Sequence, residues 1–272
     1  MCELMGMCFE KMVGAEVSIR EFALRDFENA DGWGLAWYHN GSMTLVKEPL
    51  SWRKSKYARF LISYERLQSH IFVGHVRHAT VGGPPKHADT HPFSRELMGR
   101  HYCFAHNGTV RSVIDLIPLN RYQPIGDTDS EYMFCALLDR IANRGTHLES
   151  TEDWRWLHAQ FAALNEMGKL NCLMSDGRQL FCYHDVNGFK GLHMHGAGLD
   201  EHEERHLDDP GVSLDIESDD PTRGVVVATR PLNESPWHAF RKGELLVVES
   251  GKLLFSSSRS CNAKQQTGHS TV

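Results

Sequence analysis

The pattern of apolar and polar positions along the chain predicts a series of strands joined by tight turns. Leu35 to His39 and Met43 to Lys47 are rich in apolar residues and flank Asn40-Gly41. Asn-Gly between two such runs is the strongest short hairpin signal. Two later pairs of runs have the same form, at 170–175 with 179–184 and at 244–249 with 253–256. The other predicted strands are single apolar runs at 2–9, 71–77, 102–106 and 225–229.

Helical periodicity is concentrated in two consecutive segments near the middle of the chain. Thr128-Asp129-Ser130-Glu131 is typical of a capping box, in which the first and last side chains each bond to the other's backbone N–H. Apolar residues then recur on one face of each predicted helix: Met133, Leu137 and Ile141 in the first, and Trp154, Leu157, Phe161 and Leu164 in the second. Shorter helices are predicted at 18–26 and 56–67.

This order of elements predicts an α+β fold. Antiparallel hairpins around a pair of consecutive helices favour two packed sheets with the helices outside them. No internal repeat or linker-like stretch divides the chain, so we expect a single domain over residues 1–256. Residues 196–222 are acidic and irregular and are expected to form a surface excursion. The polar residues 257–272 lack periodicity and are expected to be a disordered tail.

Composition excludes several classes of function. The chain has 272 residues and a net charge of −6, so its composition gives no support to a nucleic-acid-binding surface. No apolar run approaches the roughly 20 residues of a membrane span, and the first residues lack the basic and apolar regions of a signal peptide. The seven cysteines are odd in number and include no C-x-x-C pair. This indicates reduced thiols and predicts a cytoplasmic protein without a membrane partner.

The second residue is the first candidate for chemistry. Once Met1 is removed, Cys2 would carry a thiol and a free α-amine, which are a nucleophile and a base on one residue. An α-amine has a pKa of roughly 7.7–8.0, so part of it is unprotonated near neutral pH and would accept the thiol proton. Taken alone, this dipeptide favours an ordinary buried cysteine at the start of a strand. The rest of the chain has to decide between the two interpretations.

Three further segments place polar residues where an apolar strand ends or a helix begins. They are Gly74-His75-Val76-Arg77-His78-Ala79-Thr80, His106-Asn107-Gly108 and Asp127-Thr128-Asp129-Ser130-Glu131. Polar residues at strand ends can converge on a cleft while the strands remain in the core. Together with Cys2 and Asp31-Gly32-Trp33-Gly34, these segments resemble the class II glutamine amidotransferases of the N-terminal-nucleophile hydrolase group. The similarity runs from Cys2 to about Ile141.

The resemblance is greatest to the stand-alone branch of that family, which includes amidotransferase-like bacterial proteins and the γ-glutamyl amide hydrolase of ergothioneine synthesis. It implies a four-layer αββα sandwich with two mainly antiparallel sheets. It also implies hydrolysis of glutamine or a γ-glutamyl amide through a γ-glutamyl thioester, with no metal or organic cofactor. Cys2 would be the nucleophile, and Asn107 and the Gly108 N–H would stabilise the oxyanion. Glycine at 108 would keep a side chain away from the reacting carbon.

The resemblance also assigns residues to the amino-acid head group of the substrate. Arg77 would hold the α-carboxylate with its two-pronged guanidinium, and Asp129 would hold the α-ammonium. Thr80 matches a threonine near the carboxylate pocket. His78 and Val81 depart from the synthase-linked members, in which an aromatic residue commonly follows the arginine and a histidine follows the threonine. These departures leave the preference for free glutamine open.

Two other functions fit the same residues. One is an ammonia-supplying subunit for a separate synthase, and the other is a catalytically silent sensor of glutamine or γ-glutamyl compounds. A further motif, His202-Glu203-Glu204-Arg205-His206, matches the H-E-x-x-H zinc pattern. That motif requires a helix with an apolar face, and its neighbours here are almost all charged. No metal site is therefore predicted.

Overall fold

A computed structural model of the chain describes residues 2–14, 19, 22, 31–64, 67–78, 84–196 and 223–258. The strands in these ranges are β1 Glu3–Gly14, β2 Gly32–His39, β3 Ser42–Glu48, β4 Gln68–Arg77, β5 Phe93–Leu97, β6 Arg100–Thr109, β7 Lys169–Ser175, β8 Gln179–Tyr183, β9 His193–Gly196, β10 Gly224–Ala228, β11 His238–Ala239, β12 Leu245–Glu249 and β13 Lys252–Ser256. The α-helices are α1 Lys56–Ile62, α2 Val113–Leu116, α3 Asp129–Arg144 and α4 Thr151–Asn165, and a short 3₁₀-helix spans Trp52–Lys54.

The strands form two sheets, as the sequence predicts. The order in the first sheet is β11-β9-β10-β1-β4-β2-β3, and the order in the second is β13-β12-β8-β7-β6-β5. Every strand pairing recorded within the described ranges is antiparallel. The α+β prediction is therefore confirmed, with β1 at the centre of its sheet between β10 and β4.

Alternate residues of the central strand β1 belong to different layers of the core. Leu4 and Cys8 lie between the two sheets, in a cluster that also contains Ala105 of β6 and Leu173 of β7. Met5, Met7 and Phe9 point to the opposite face, where they pack with residues of α1 and the 3₁₀-helix. The outer face of the second sheet is covered by the apolar faces of α3 and α4. Helices outside two packed sheets give the four-layer arrangement.

Local signals explain several of the element boundaries. Asn40 and Gly41 adopt positive φ angles of 49° and 78°, as a two-residue turn between twisted strands requires. At the start of α3, Thr128 accepts a hydrogen bond from the Glu131 backbone N–H at 3.2 Å. The prediction of the reciprocal hydrogen bond, from the Thr128 N–H to Glu131, is wrong. The Glu131 carboxylate accepts instead from the Gly126 N–H and from Arg95. The complete capping box is at the start of α4.

The sequence misplaces two strand boundaries next to glycines. β2 begins at Gly32, three residues before the predicted start at Leu35. A Cβ at Gly34 would lie 2.2 Å from the His91 carbonyl oxygen, so glycine lets that backbone cross the strand. β6 does not end at His106 as predicted, because Asn107 and Gly108 continue the strand and pair with β7. Strands β5, β9 and β11 were not predicted.

Some predictions fall mainly outside the described residues. Of the predicted helix at 18–26, Ile19 and Phe22 are described as helical and buried. The acidic segment 196–222 lies outside the description beyond Gly196, and the tail lies outside it beyond Ser258. The single-domain boundaries therefore stay a prediction. None of the helices in the described ranges has the length and apolar character needed to cross a membrane.

Candidate active site

The register of two central strands brings Cys2 beside Arg77. Glu3 pairs with Val76 across the antiparallel β1 and β4, so the residue before Glu3 meets the end of β4. The Cys2 sulfur lies there, 3.4 Å from both the backbone nitrogen and the carbonyl oxygen of His78. Burial raises the pKa of the Cys2 thiol, and the hydrogen bond from the His78 backbone opposes that shift. The thiol therefore needs a base to ionise near neutral pH.

Asn107 comes to the same point from the second sheet. Its Nδ2 donates a hydrogen bond of 2.8 Å to the carbonyl oxygen of Cys2. Asn107 is buried and sits in β6, where it pairs with Asn171 of β7. A side-chain amide nitrogen carries two N–H donors. One of these N–H groups bonds to the Cys2 carbonyl oxygen and holds Cys2 in place. The second N–H is available to another acceptor.

A cavity of about 560 Å³ opens at this junction. Its wall includes four of the predicted site residues: Cys2, Arg77, Gly108 and Asp129. The volume lies within the range of about 300–1,000 Å³ that is usual for small-molecule sites. Residues from both sheets and from the start of α3 therefore line one opening.

The first turn of α3 fixes the position of Asp129. Its Oδ2 accepts a hydrogen bond of 2.6 Å from the Val110 N–H, and its Oδ1 accepts one of 2.9 Å from the Ser130 N–H. Val110 directly follows β6, so this contact ties the end of the strand to the start of the helix. A carboxylate has roughly four lone-pair sites. About half of them are left for a cationic group in the cavity.

Gly108 is required by the packing of the strand. A Cβ at this position would lie 1.9 Å from the Lys169 carbonyl oxygen and 2.5 Å from His106 Nε2. Both distances are far shorter than any normal contact. The expected reason for glycine, that a side chain would crowd the reacting carbon, is therefore not the main one. Glycine is needed first because β6 and β7 approach each other closely.

Histidines form the buried side of this region. His75 and His91 stack with their ring centroids 4.2 Å apart, and within the part of the chain that the structure describes no ring nitrogen of either has a hydrogen-bond partner. Burial lowers the pKa of His75 to about 3 and holds the pKa of His91 well below its usual value. Burial also lowers the pKa of His106. All three rings are therefore neutral near neutral pH.

The cavity wall also contains residues to which sequence reasoning gave no role. These are Lys86, Asp89, His91, Arg111, Ile114 and Asp127 among others. Lys86 Nζ and Asp127 Oδ2 form an exposed ion pair of 2.5 Å, and Asp89 Oδ1 accepts from the Asp127 N–H at 2.8 Å. The positions of these residues depend on how the loops pack, and no local sequence pattern predicts that packing.

Two sequence-derived candidates cannot be placed. Thr80 lies outside the described residues, and so does the H-E-x-x-H segment at 202–206. Within the described ranges, no three or more His, Cys, Asp or Glu side chains are arranged to hold a metal ion. The six cysteines that fall in those ranges are all free thiols.

Comparisons with known proteins identify the family of the chain. The profile of the class II glutamine amidotransferases matches residues 1–271. An uncharacterized protein of Methanocaldococcus jannaschii is 36% identical over 261 residues, which cover 95% of this chain and 72% of that protein. The Escherichia coli protein named "Putative glutamine amidotransferase YafJ" is 31% identical over 253 residues, covering 90% of this chain and 96% of YafJ.

A solved structure has the same fold. It is titled a predicted glutamine amidotransferase from Pseudomonas aeruginosa and is 26% identical, with a TM-score of 0.68. The match covers 93% of this chain and 100% of that one. The fold expected from the resemblance, that of the N-terminal-nucleophile hydrolases, is therefore confirmed. The chain belongs to the class II glutamine amidotransferase family.

Proposed function

We propose that the chain is an N-terminal-nucleophile amidohydrolase that hydrolyses the side-chain amide of glutamine or of a γ-glutamyl amide. One observation carries the proposal. Asn107 Nδ2 bonds to the Cys2 carbonyl oxygen at 2.8 Å, beside the cavity that Arg77 and Asp129 also line. A sulfur nucleophile and two opposite charges line one opening, and an amide donor contacts the nucleophilic residue beside it; this is the set of groups that the reaction needs.

Charge supports an amino-acid substrate. A free amino acid presents an α-carboxylate and an α-ammonium, and the cavity offers a guanidinium and a carboxylate. Arg77 would bind the α-carboxylate through two parallel N–H bonds, and Asp129 would bind the α-ammonium with its remaining lone pairs. The side chain of the substrate would then extend toward Cys2.

The chemistry follows from the thiol and its own α-amine. With Met1 removed, the α-amine accepts the thiol proton, and the sulfur bonds to the amide carbon. The amide oxygen becomes an anion, which the second Nδ2 hydrogen of Asn107 and the Gly108 N–H would stabilise. The C–N bond then breaks, and the leaving amine takes the proton from the α-ammonium. Water, deprotonated by the α-amine, attacks the thioester and releases glutamate and the free thiol.

Each of these steps uses only side-chain and main-chain groups of the chain, so the proposed reaction needs no metal or organic cofactor. The composition favours a cytoplasmic setting. The amine or ammonia leaves as a small molecule, which a separate synthase would be able to use. Glutamine or a γ-glutamyl amide is the only partner that the hydrolysis itself requires.

The direct test is the hydrolysis of glutamine and of a series of γ-glutamyl amides by the purified chain, with its N-terminal residue identified by mass. We expect glutamate release that Cys2→Ala abolishes. Cys8→Ala is the matched control, because Cys8 lies on β1, which Cys2 directly precedes, and is fully buried. Activity that survives Cys2→Ala would overturn the proposal.

The alternatives give different results in the same assay. An ammonia-supplying subunit would release ammonia only when a second protein is added. A silent sensor would bind glutamine, lose that binding on substitution of Arg77 or Asp129, and release no product at any enzyme concentration. Retention of Met1 would favour the sensor, because an acylated amine is not a base.

A further inference from the structure

The Asp129 carboxylate stands at one end of a line of polar contacts that runs into the protein interior. Asp129 Oδ1 is 3.4 Å from Ser130 Oγ, and Ser130 Oγ is 2.8 Å from His106 Nδ1. His106 Nε2 is 3.0 Å from the Lys169 carbonyl oxygen. Ser130 and His106 are both buried. The line joins the candidate head-group site to the β6–β7 pair.

The Lys169 carbonyl oxygen determines which ring nitrogen of His106 carries the proton and where the Ser130 hydroxyl donates. A carbonyl oxygen only accepts, so the proton of the neutral His106 ring must be on Nε2, and Nδ1 is an acceptor. The Ser130 hydroxyl has one proton, and it must donate that proton to Nδ1. It therefore has none for Asp129, and the separation of 3.4 Å exceeds the 2.5–3.0 Å usual for O–H···O bonds. Among the described residues, Asp129 keeps the two backbone donors of Val110 and Ser130.

We propose that His106 and Ser130 are positioning residues for Asp129, because His106 holds the Ser130 proton and so leaves the carboxylate free to bind an ammonium group. The inference rests on the proposed function, in which that ammonium belongs to the substrate. The Ser130 main chain still donates to Oδ1 and sets the direction of the carboxylate. The buried His106 thereby controls how many hydrogen-bond donors compete with the ligand for the Asp129 carboxylate.

A second proton on His106 would reverse this arrangement. The ring would then donate from Nδ1 to Ser130, and the hydroxyl would turn toward Asp129. Burial lowers the pKa of His106, while the charge of Asp129 opposes the shift, so the neutral arrangement holds at neutral pH. The other titratable groups that face His106 are His75 of β4, His91 before β5 and Asp185 after β8.

The test measures binding by calorimetry to Cys2→Ala, which does not turn over. The two ligands are glutamine and glutaramate, which is the same chain without the α-amino group. We expect His106→Phe, whose ring has no acceptor for the Ser130 proton, to weaken glutamine binding by about 2- to 12-fold, because the hydroxyl then donates one competing hydrogen bond to Asp129, and to leave glutaramate binding unchanged. Adding Ser130→Ala to His106→Phe should restore glutamine binding, because it removes that hydroxyl.

A pH series separates the histidine from the carboxylate. His106→Asn keeps an acceptor near the position of Nδ1 but does not titrate, so glutamine affinity at pH 7 should be retained. As the pH falls, the chain with His106 should lose glutamine affinity at a higher pH than His106→Asn, which has no ring to protonate at this position. If His106→Phe does not fold, this comparison decides the matter.

Several outcomes would overturn the inference. Equal weakening of glutamine and glutaramate binding by His106→Phe would show a structural role only. If glutamine affinity falls identically with pH in the chain with His106 and in His106→Asn, the His106 ring does not control the Asp129 carboxylate. Glutamine that binds but is never hydrolysed by the unsubstituted chain would instead remove the proposed reaction and leave the positioning role standing. A complete lack of glutamine binding would overturn both.

Discussion

Asn107 Nδ2 donates a hydrogen bond of 2.8 Å to the main-chain carbonyl oxygen of Cys2. The two residues are 105 positions apart and come from different sheets. The contact fixes the main chain of the candidate nucleophile against the candidate oxyanion donor. The same amide therefore holds the attacking residue and keeps one N–H for the charge that its attack would create.

Replacing Asn107 should slow the reaction more than it weakens substrate binding. Asn107→Asp keeps the shape of the side chain but has no N–H to donate to the oxyanion or to Cys2. We expect kcat for γ-glutamyl amide hydrolysis to fall by about 10²–10³, the usual cost of one oxyanion donor. A KM that rises while kcat is unchanged would contradict the assignment.

Replacing Arg77 should show the opposite pattern. Arg77→Gln removes a charged, two-pronged donor from the candidate carboxylate site. A charge-assisted hydrogen bond contributes about 1.5–3 kcal/mol, so KM for glutamine should rise by roughly 10- to 150-fold. Arg155→Gln, an exposed position on α4, is the matched control and should leave KM unchanged. Equal KM values for the two variants would remove Arg77 from the substrate site.

A side chain at position 108 should destabilise the fold. In Gly108→Ala the new Cβ would meet the Lys169 carbonyl oxygen at 1.9 Å. Overpacking of this kind costs typically about 1–3 kcal/mol, and a lower urea midpoint would report it. Gly99→Ala is the control, since nothing lies within 4 Å of that position and only its positive φ opposes alanine. A midpoint no lower for Gly108→Ala than for Gly99→Ala would contradict this account.

Stability should decrease in acid because of the buried histidines. Burial lowers the pKa of His75 to about 3 and lowers those of His91 and His106. Below about pH 6.5 the unfolded chain binds protons at these sites while the folded chain does not. Each site then removes roughly 1.4 kcal/mol per pH unit from the free energy of unfolding, and for His75 this continues to about pH 3.

Replacement of His75 on β4 checks this prediction. His75→Asn should make the free energy of unfolding less dependent on pH between 6.5 and 5, by about one proton. Urea unfolding of the variant and of the unsubstituted chain at several pH values measures this dependence. An unchanged slope in His75→Asn would show that its ring already binds a proton in the folded chain.

Much of the scaffold could be predicted from local signals. The Asn40-Gly41 turn, the apolar stripe of α3 and the doubly buried strand β1 each follow from a few neighbouring residues. The boundaries of β2 and β6 could not, because glycines at 34 and 108 are there to admit a distant backbone and not to make a turn. Sequence patterns report what a segment prefers, but not which other segment crosses it.

The residues of the candidate site also divide into those that the sequence predicts and those that it does not. Cys2 was predicted from its place behind Met1, and Arg77 and Asp129 from the family resemblance of their motifs; the structure brings all three to one cavity. Ser130 carried no signal of its own, since a serine in the first turn of a helix is common. Its contact with His106 depends on how α3 packs on β6, which only the assembled fold reveals.

The intact mass of the protein before and after treatment with an electrophilic analogue of glutamine reports the removal of Met1 and the reactivity of the Cys2 thiol together. We predict loss of Met1, addition of one equivalent of the analogue at Cys2, and protection by glutamine. The buried Cys8 thiol, whose pKa burial raises to about 11, should remain unmodified. A retained Met1, or labelling that is absent or spread over the other cysteines, would contradict the assignment of Cys2 as an N-terminal nucleophile.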